Sequence, residues 1–325
     1  MRKTIYARPV GEVCAGMSVW VWGGGEHRVG TAAVRACYAA GVKGKPTIAI
    51  IGAGRLGTAL GVELKEAGYK VQEILAGPSS SSQRKAETLA RRIGARVLGG
   101  QGAQLKSDLL WLCVPDRQIS PMARDLAQRQ GWEGKIAFHS SGALPSDELE
   151  SLKLAGASVA AVHPFMTFVA GEAPELDGVP FGIEGDQEAL AAAGRIVRSL
   201  GGATFPVKKQ NKAAYHAWGG FASPLLVALL MTGEQVASTA GISAIEARKK
   251  MMPIIRQTVD NYEKLGPEGA FTGPLVRGDA EVVRRHLALL RKAPAAREVY
   301  LALARSALKR LKVRNRGELE QALQS

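Results

Sequence analysis

The chain has 325 residues, 46% of them hydrophobic and 22% charged, a length that suits two domains and a balance that excludes a disordered or fibrous class. The formal net charge of +14 is uneven: residues 1–45 carry 7 Lys/Arg against 2 Asp/Glu, residues 46–207 carry 16 against 17, and residues 208–325 carry 20 against 10. With no recognisable nucleic-acid module and few aromatic residues to stack on bases, solvated helix faces or attraction of a phosphorylated cofactor and an acidic substrate explain this charge more simply than nucleic acid does.

Residues 1–45, with Gly23, Gly24 and Gly25 and scattered arginines, show no sustained periodicity and read as a poorly ordered extension, compatible with a transit peptide or an over-extended translation start. The odd set Cys14, Cys37 and Cys113 has no metal-ligand spacing and points to reduced thiols in a cytoplasm. Thr47–Ile51 reads as a buried parallel strand that runs into "IGAGRLGTALG", and Leu56, Leu60 and Leu64 then recur at helical spacing. Strands follow at Val71–Leu75, Leu109–Val114, Ile136–Phe138, Val159–Val162 and Phe181–Ile183, with helical spacing at Ile119–Leu126 and Leu190–Leu200 between them. This alternation predicts an α/β Rossmann-like, doubly wound and mainly parallel sheet over residues 46–207. An all-α domain is expected from Lys208 to residue 325, with helices from Tyr215 to about Ala240, Ile245 to about Leu265, Ala280 to Leu290 and Pro294 to Leu311. Ser243 with Glu246 reads as a capping box and Asp279 as an N-cap. The apolar run Trp218–Met231 is broken by Gly219, Gly220 and Pro224, is too short to span a bilayer, and reads as a buried helix.

Three glycines at a strand-to-helix junction, Gly52, Gly54 and Gly57, let the backbone turn tightly and bring bare N–H groups of Arg55, Leu56 and Gly57 to a pyrophosphate at a helix N-terminus. Glu73 is near the spacing of a ribose-binding acid but lies inside its strand. Beyond that strand come Ser79–Ser82 and then Arg84 and Lys85, and hydroxyls with cations suit a 2′-phosphate, which favours NADP over NAD with Ser80 and Arg84 as candidate ligands. Ligands of such sheets bind outside the carboxyl ends of the strands, which directs attention to Val114-Pro115-Asp116, His139-Ser140-Ser141-Gly142 and His163-Pro164-Phe165. Val114, Pro115 and Ser140 are candidate cofactor contacts.

Residues 46 to about 312 resemble a family of largely uncharacterised bacterial proteins that join a Rossmann-like domain to a helical domain like the C-terminal part of 6-phosphogluconate dehydrogenase. The motifs that carry the resemblance are "IGAGRLGTAL", "LLWLCVPDRQI", "FHSSGAL", "VHPFMTF", "KAAYHAWGGFAS" and "FTGPLVRGDAEVVRRHL". It implies an NADP-dependent oxidoreductase of unspecified substrate, and it extends distantly to pyrroline-5-carboxylate reductase. The segment "HSSGALPSDELE…VAAVHPFMTF" also resembles prephenate dehydrogenases, in which a serine after one strand and the histidine of a His-Pro pair after the next surround the reacting hydroxyl. That likeness implies Ser141 as the oxygen-binding residue and His163 as the proton-exchanging one, its affinity for a proton falling near neutral pH. His139, Tyr215 and His216 are further candidates. One departure is Ser223-Pro224, where relatives often read Ser-Asn.

The expected function is hydride transfer between a nicotinamide cofactor and a small, acidic carbonyl, imine or hydroxy compound, in a cytoplasmic homodimer with no membrane or nucleic-acid partner. The alternative is a non-catalytic NADP-binding regulator or scaffold, for which Pro224 is the best hint. The homodimer is expected because Leu225, Leu226, Val227, Leu229 and Leu230 are more apolar positions than one small helical domain can bury.

Overall fold

The structure is a computed structural model that describes residues 44–99, 104–169, 171 and 175–324. The extension expected over residues 1–45 therefore falls, up to residue 43, outside the described residues, as do Cys14 and Cys37. Compact packing divides the chain between Gly219 and Gly220.

The first unit is built on an eight-stranded sheet of order β3-β2-β1-β4-β5-β6-β7-β8. Its strands are β1 (Ile48–Ile51), β2 (Val71–Leu75), β3 (Arg96–Leu98), β4 (Leu109–Leu112), β5 (Ile136–His139), β6 (Ser158–Pro164), β7 (Pro180–Gly185) and β8 (Ala203–Pro206). Every neighbouring pair is parallel except β6 with β7, which is antiparallel. The strands are apolar on both faces because both faces are covered. Ile48, Ile50, Trp111 and Phe138 pack with residues of the helices α1 (Arg55–Glu66), α2 (Ser80–Ile93) and, further along the sheet, α5 (Gln187–Ser199). Ala49, Ile51, Leu110 and Leu112 face the opposite layer, made with α3 (Asp116–Ala127) and the short α4 (Glu150–Leu154).

Two edge strands, β3 and β8, are not evident in the sequence; each is short, and neither has a fully buried residue. Glu73 takes a place that the apolar pattern would give to a hydrophobe. It is fully buried in β2, where its carboxylate accepts from the Ser107 hydroxyl (2.6 Å), the N–H groups of Lys106 and Ser107 (both 3.0 Å) and the Arg96 guanidinium (2.5 Å). Burial alone would raise this carboxyl, but the four donors outweigh it and hold it below the ordinary carboxylate range. Glu73 thus ties β2 to β3 and to the segment entering β4, and it lies away from the strand tip.

The helix α6 (Lys212–Ala222) crosses the division between the units; its first turns belong to the sheet unit, where Lys212 and Tyr215 are buried. The second unit comprises α7 (Pro224–Ser238), α8 (Ala244–Ala270), α9 (Pro274–Arg277), α10 (Ala280–Leu290), α11 (Pro294–Arg310) and α12 (Arg316–Ala322). Its core lies among α10, α11 and α12, around Val283, Leu287, Leu308 and Leu319. Ser243 caps α8, accepting from the Glu246 N–H (3.4 Å). Asp279 does stand at the N-cap of α10, but its carboxylate takes the Arg277 guanidinium rather than a helix N–H.

The apolar run expected to form a buried helix is not buried. Ser223, at φ −132° and ψ −81°, interrupts it ahead of Pro224, and α7 has no buried residue at all. By length and composition the 30-residue stretch Lys209–Ser238, with a mean hydropathy of 1.3 over an 18-residue window, is long and apolar enough to cross a membrane. The break divides it into helices of 11 and 15 residues. At 1.5 Å per residue these reach roughly 16 and 22 Å, short of a bilayer core of about 30 Å.

Glu73→Gln should lower the unfolding free energy by about 2 kcal/mol or more in denaturant titration, because it leaves Arg96 and a set of inward-pointing donors without their charge partner. Dinucleotide affinity should stay unchanged, as expected of a carboxylate with no ribose contact.

Candidate functional site

The glycines of the β1–α1 turn answer to different constraints. Gly52 has φ +99°, and a Cβ there would stand 2.8 Å from the Cys113 carbonyl oxygen. A Cβ on Gly57 would stand 2.0 Å from the Gly52 carbonyl oxygen, so the two glycines lock the start of α1 against the turn. Gly54 is different: its backbone is ordinary, at φ −73° and ψ −167°, and a Cβ would meet nothing within 4 Å. The protein's own packing does not require a glycine there; a ligand approaching the backbone would. Behind it, α1 begins with no side-chain cap and no acidic residue in its first turn, which leaves N–H donors and the positive end of the helix dipole to face an anion.

This turn borders a cleft of about 600 Å³ at the carboxyl ends of β1, β2 and β4, where the strand order reverses. Its walls include Gly52, Gly54, Ala76, Ser79, Ser82, Lys85, Val114, Pro115, Arg117 and Gln118. Ser79 caps α2, its hydroxyl accepting from the Ser82 N–H (3.1 Å) and meeting the Ser82 hydroxyl at 2.9 Å. The hydroxyls and the cation at the tip of β2 are thus Ser79, Ser82 and Lys85, whereas Ser80 and Arg84 are not among the lining residues. Arg117 and Gln118, on the first turn of α3, escaped the sequence reading; the only signal was their place just after the strand-end Val114-Pro115. Gly57 and Leu56 are used internally, the latter packed on the core. Arg55 donates to the Phe168 carbonyl at 3.2 Å. The Ser140 hydroxyl accepts from the Trp111 indole at 2.7 Å.

A second group of side chains meets at the ends of β5 and β6. His139 is fully buried with both ring nitrogens in use: Nδ1 accepts from the Ser141 N–H (3.1 Å) and Nε2 meets the Pro145 carbonyl (3.0 Å). Burial pushes its pKa down to about 4. It is a neutral brace for the Ser140–Pro145 loop. The Ser141 hydroxyl accepts from the N–H groups of Ala143 (3.2 Å) and Leu144 (3.0 Å), which leaves its own proton free to donate.

His163 stands at the carboxyl end of β6, with Nδ1 2.7 Å from the Tyr215 hydroxyl. Lys212, Tyr215 and His216 are spaced i, i+3 and i+4 on α6, and so present one helix face to this strand end. A Cβ on Gly142 would stand 2.9 Å from His163 Nε2 and 2.8 Å from the His216 ring, so only glycine lets the loop pass between the two imidazoles. Burial is the main cause that lowers the His163 pKa to about 4, and the charges of Lys212, His216 and His139 add to it. The expected affinity for a proton near neutral pH is therefore replaced by a neutral imidazole. Burial also pushes Tyr215 up to about 12, against the effect of a hydrogen bond to the Gly182 backbone. A phenol that donates to His163 Nδ1 puts the imidazole hydrogen on Nε2, the nitrogen facing Gly142, and one that accepts from Nδ1–H leaves Nε2 as an acceptor.

Lys212 also went unnoticed in the sequence. It is 2% exposed, and its ammonium donates to the Ser141 carbonyl at 2.9 Å. Among the described residues no group of three or more His, Cys, Asp or Glu could hold a metal ion.

Residues 29–164 match a Rossmann-like domain, and residues 179–307 match DUF2520, described as a domain of unknown function. The chain joins a Rossmann-like domain to a DUF2520 domain. No curated protein matches it significantly. Among solved structures it is similar to a candidate NADP oxidoreductase from Bacteroides fragilis, at 22% identity and TM-score 0.68, over 82% of this chain and 99% of that one. It is also similar to a protein from Thermotoga maritima, at 24% identity and TM-score 0.62, over 85% and 98% of the two chains. A third is a reductive aminase from Aspergillus terreus in complex with NADPH and ethyl-5-oxohexanoate, at 17% identity and TM-score 0.60, over 82% and 94%. At these identities the likeness is one of fold.

His139 and His163 bind fewer protons folded than unfolded between pH 6.5 and about 4, so stability should fall as pH falls through that window and level off above it. The slope should approach about 1 kcal/mol per pH unit for each histidine. Denaturant melts at stepped pH check this, and His139→Gln should reduce the slope.

Proposed function

We propose that this protein is an NADP-dependent oxidoreductase acting on a small, acidic carbonyl, imine or hydroxy compound. The observation that carries the reading is the open space over Gly54, a glycine without an internal reason, set at an uncapped helix N-terminus on the switch point of the sheet. A dinucleotide fits this cradle: the first-turn N–H groups of α1 would take the pyrophosphate, and Ser79, Ser82 and Lys85 the 2′-phosphate. That solved proteins of the same fold hold NADP or NADPH supports the choice of cofactor.

When bound, the reduced nicotinamide supplies a hydride to an electrophilic carbon. The oxygen on that carbon receives the displaced π pair, and the chain's own residues meet it there. Neutral His163 donates from Nε2, held in that tautomer by Tyr215, and the Ser141 hydroxyl donates beside it. Water supplies the proton that completes the alcohol. His139 and Lys212 fix the loop that carries Ser141, through its N–H and its carbonyl respectively.

The helical unit is proposed to pair with its copy. Leu225, Val227, Met231, Ile245, Ile254, Tyr262 and Leu265 are each 51–68% exposed along α7 and α8. With their neighbours they leave on the order of 1,000 Å² of apolar side chain in water, above the roughly 300–600 Å² patch of a typical monomer and near the roughly 800 Å² per partner of a stable interface.

NADPH should bind more tightly than NADH in competitive fluorescence titration, and Lys85→Ala should remove most of that preference. Gly54→Val should weaken both cofactors by roughly a hundredfold without lowering the melting temperature, since the added side chain enters only the ligand's space. Equal affinity for the two cofactors would refute the 2′-phosphate assignment, and unaltered binding by Gly54→Val would refute the cradle. Light scattering at micromolar concentration should give twice the 34.4 kDa chain mass, and Ile254→Glu should yield monomer. A wild-type monomer would remove the dimer.

A further inference from the structure

The charge of the His163 cluster, taken with its hydrogen-bond directions, limits what can react there. We infer that the substrate is a carboxylate-bearing carbonyl compound, a small oxo acid, and not a protonated imine; this deepens the reductase reading and rests on it.

The first observation is the state of Lys212. Its ammonium, almost wholly buried, has the Ser141 carbonyl as its hydrogen-bond partner, lies 5.8 Å from the centre of the Tyr215 ring and makes no ion pair among the described residues. Burial lowers its pKa from the ordinary lysine value, and two carboxylates, Glu184 and Asp116, oppose that only through space. Glu184 is occupied, accepting from the Ser146 N–H (2.6 Å) and hydroxyl (2.9 Å), and Asp116 is exposed at the start of α3. The remaining groups around His163 are His139, His216 and Tyr215, none of which carries negative charge at neutral pH. Among the described residues, then, this strand end has a buried positive charge and no carboxylate in contact with it. A carboxylate on the substrate supplies the missing counter-charge across the Ser141–Gly142 backbone. A protonated imine adds a second cation, and in a poorly solvated site the two repel.

The second observation is independent of charge. In the tautomer of the proposed mechanism, where the Tyr215 phenol 2.7 Å away donates to Nδ1, His163 presents an N–H at Nε2. A carbonyl oxygen has lone pairs to accept it. A protonated imine has an N–H of its own and no lone pair, so donor would face donor. The solved imine reductases of similar fold thus share the architecture, while this chain's residues favour a different electrophile.

The test compares three compounds that carry the same 2-phenylethyl group on the electrophilic carbon: 4-phenyl-2-oxobutanoate, 4-phenyl-2-butanone and 2-(2-phenylethyl)-1-pyrroline. Binding is followed by the ring proton shifts of His163 and His216 with and without NADPH, and turnover by NADPH oxidation. The oxo acid should bind at least tenfold more tightly than the ketone and be reduced faster than the imine. Lys212→Met should abolish the tenfold advantage and Lys212→Arg should keep it, with NADPH affinity unchanged in both. Should Lys212→Met fail to fold, the wild-type comparison of oxo acid with ketone decides alone. Equal affinity for oxo acid and ketone, or preferred reduction of the imine, overturns the inference. Tight oxo-acid binding without any NADPH binding would instead uphold the anion site and reject the reductase reading.

Discussion

The contact on which the rest depends is that of Gly57 with the carbonyl of Gly52. Only hydrogen atoms fit between them, so the first turn of α1 is pressed onto the end of β1, and Gly52 is in turn pressed onto the carbonyl of Cys113 at the end of β4. The consecutive β1 and α1 are thereby held against β4, some sixty residues further on, at the carboxyl ends of the strands. A methyl at either position would need to occupy space already filled by backbone, which cannot yield as a side chain can. The cleft beside Gly54 exists because those two contacts are closed and Gly54 is open.

A comparable economy of space governs the second group of residues. Gly142 passes between His163 and His216, and Gly182 lies so near Tyr215 that a Cβ would come within 2.6 Å of the phenol oxygen. The imidazole and phenol are therefore fixed by backbone on both sides. Because α6 brings Lys212, Tyr215 and His216 to the same place from one helix face, the positive charge and the neutral donor are set together. The chemistry follows from that placement: donors directed at one point, little solvent to compete, and no base strong enough to strip them at neutral pH.

Much of this was legible in the sequence, for identifiable reasons. The doubly wound sheet follows from apolar runs such as "IAII" and "LLWL", which are buried on both faces and leave no polar alternation to mislead. The edge strands β3 and β8 lacked that signal because half of each faces outward. The glycine turn was plain from spacing, yet spacing treats its three glycines alike; only the packing separates Gly52 and Gly57 from Gly54. Strand ends direct attention to the serines after β2, but which of them line the cleft depends on the first turn of α2, and the lining holds Ser79 and Ser82 but not Ser80. His139 and His163 look equivalent in sequence, each a histidine closing a strand. Burial with both nitrogens bonded makes one a brace, while the other keeps Nε2 without a hydrogen-bond partner among the described residues. Lys212 was unreadable because lysine is so seldom buried that a lysine opening a helix suggests solvent. The exposed apolar face of α7 was misjudged as buried for the converse reason: hydropathy registers that a surface avoids water, not which chain covers it.

In the proposed function the Gly54 cradle and the His163 cluster serve one bound dinucleotide. A crystal structure of the protein soaked with NADPH is the decisive measurement. The pyrophosphate should lie on the first-turn N–H groups of α1, the 2′-phosphate against Ser79, Ser82 and Lys85, and the nicotinamide C4 should open toward the space between His163 Nε2 and Ser141. A dinucleotide bound in the cleft with its nicotinamide directed away from His163, or phosphates held anywhere other than at Gly54, would contradict it.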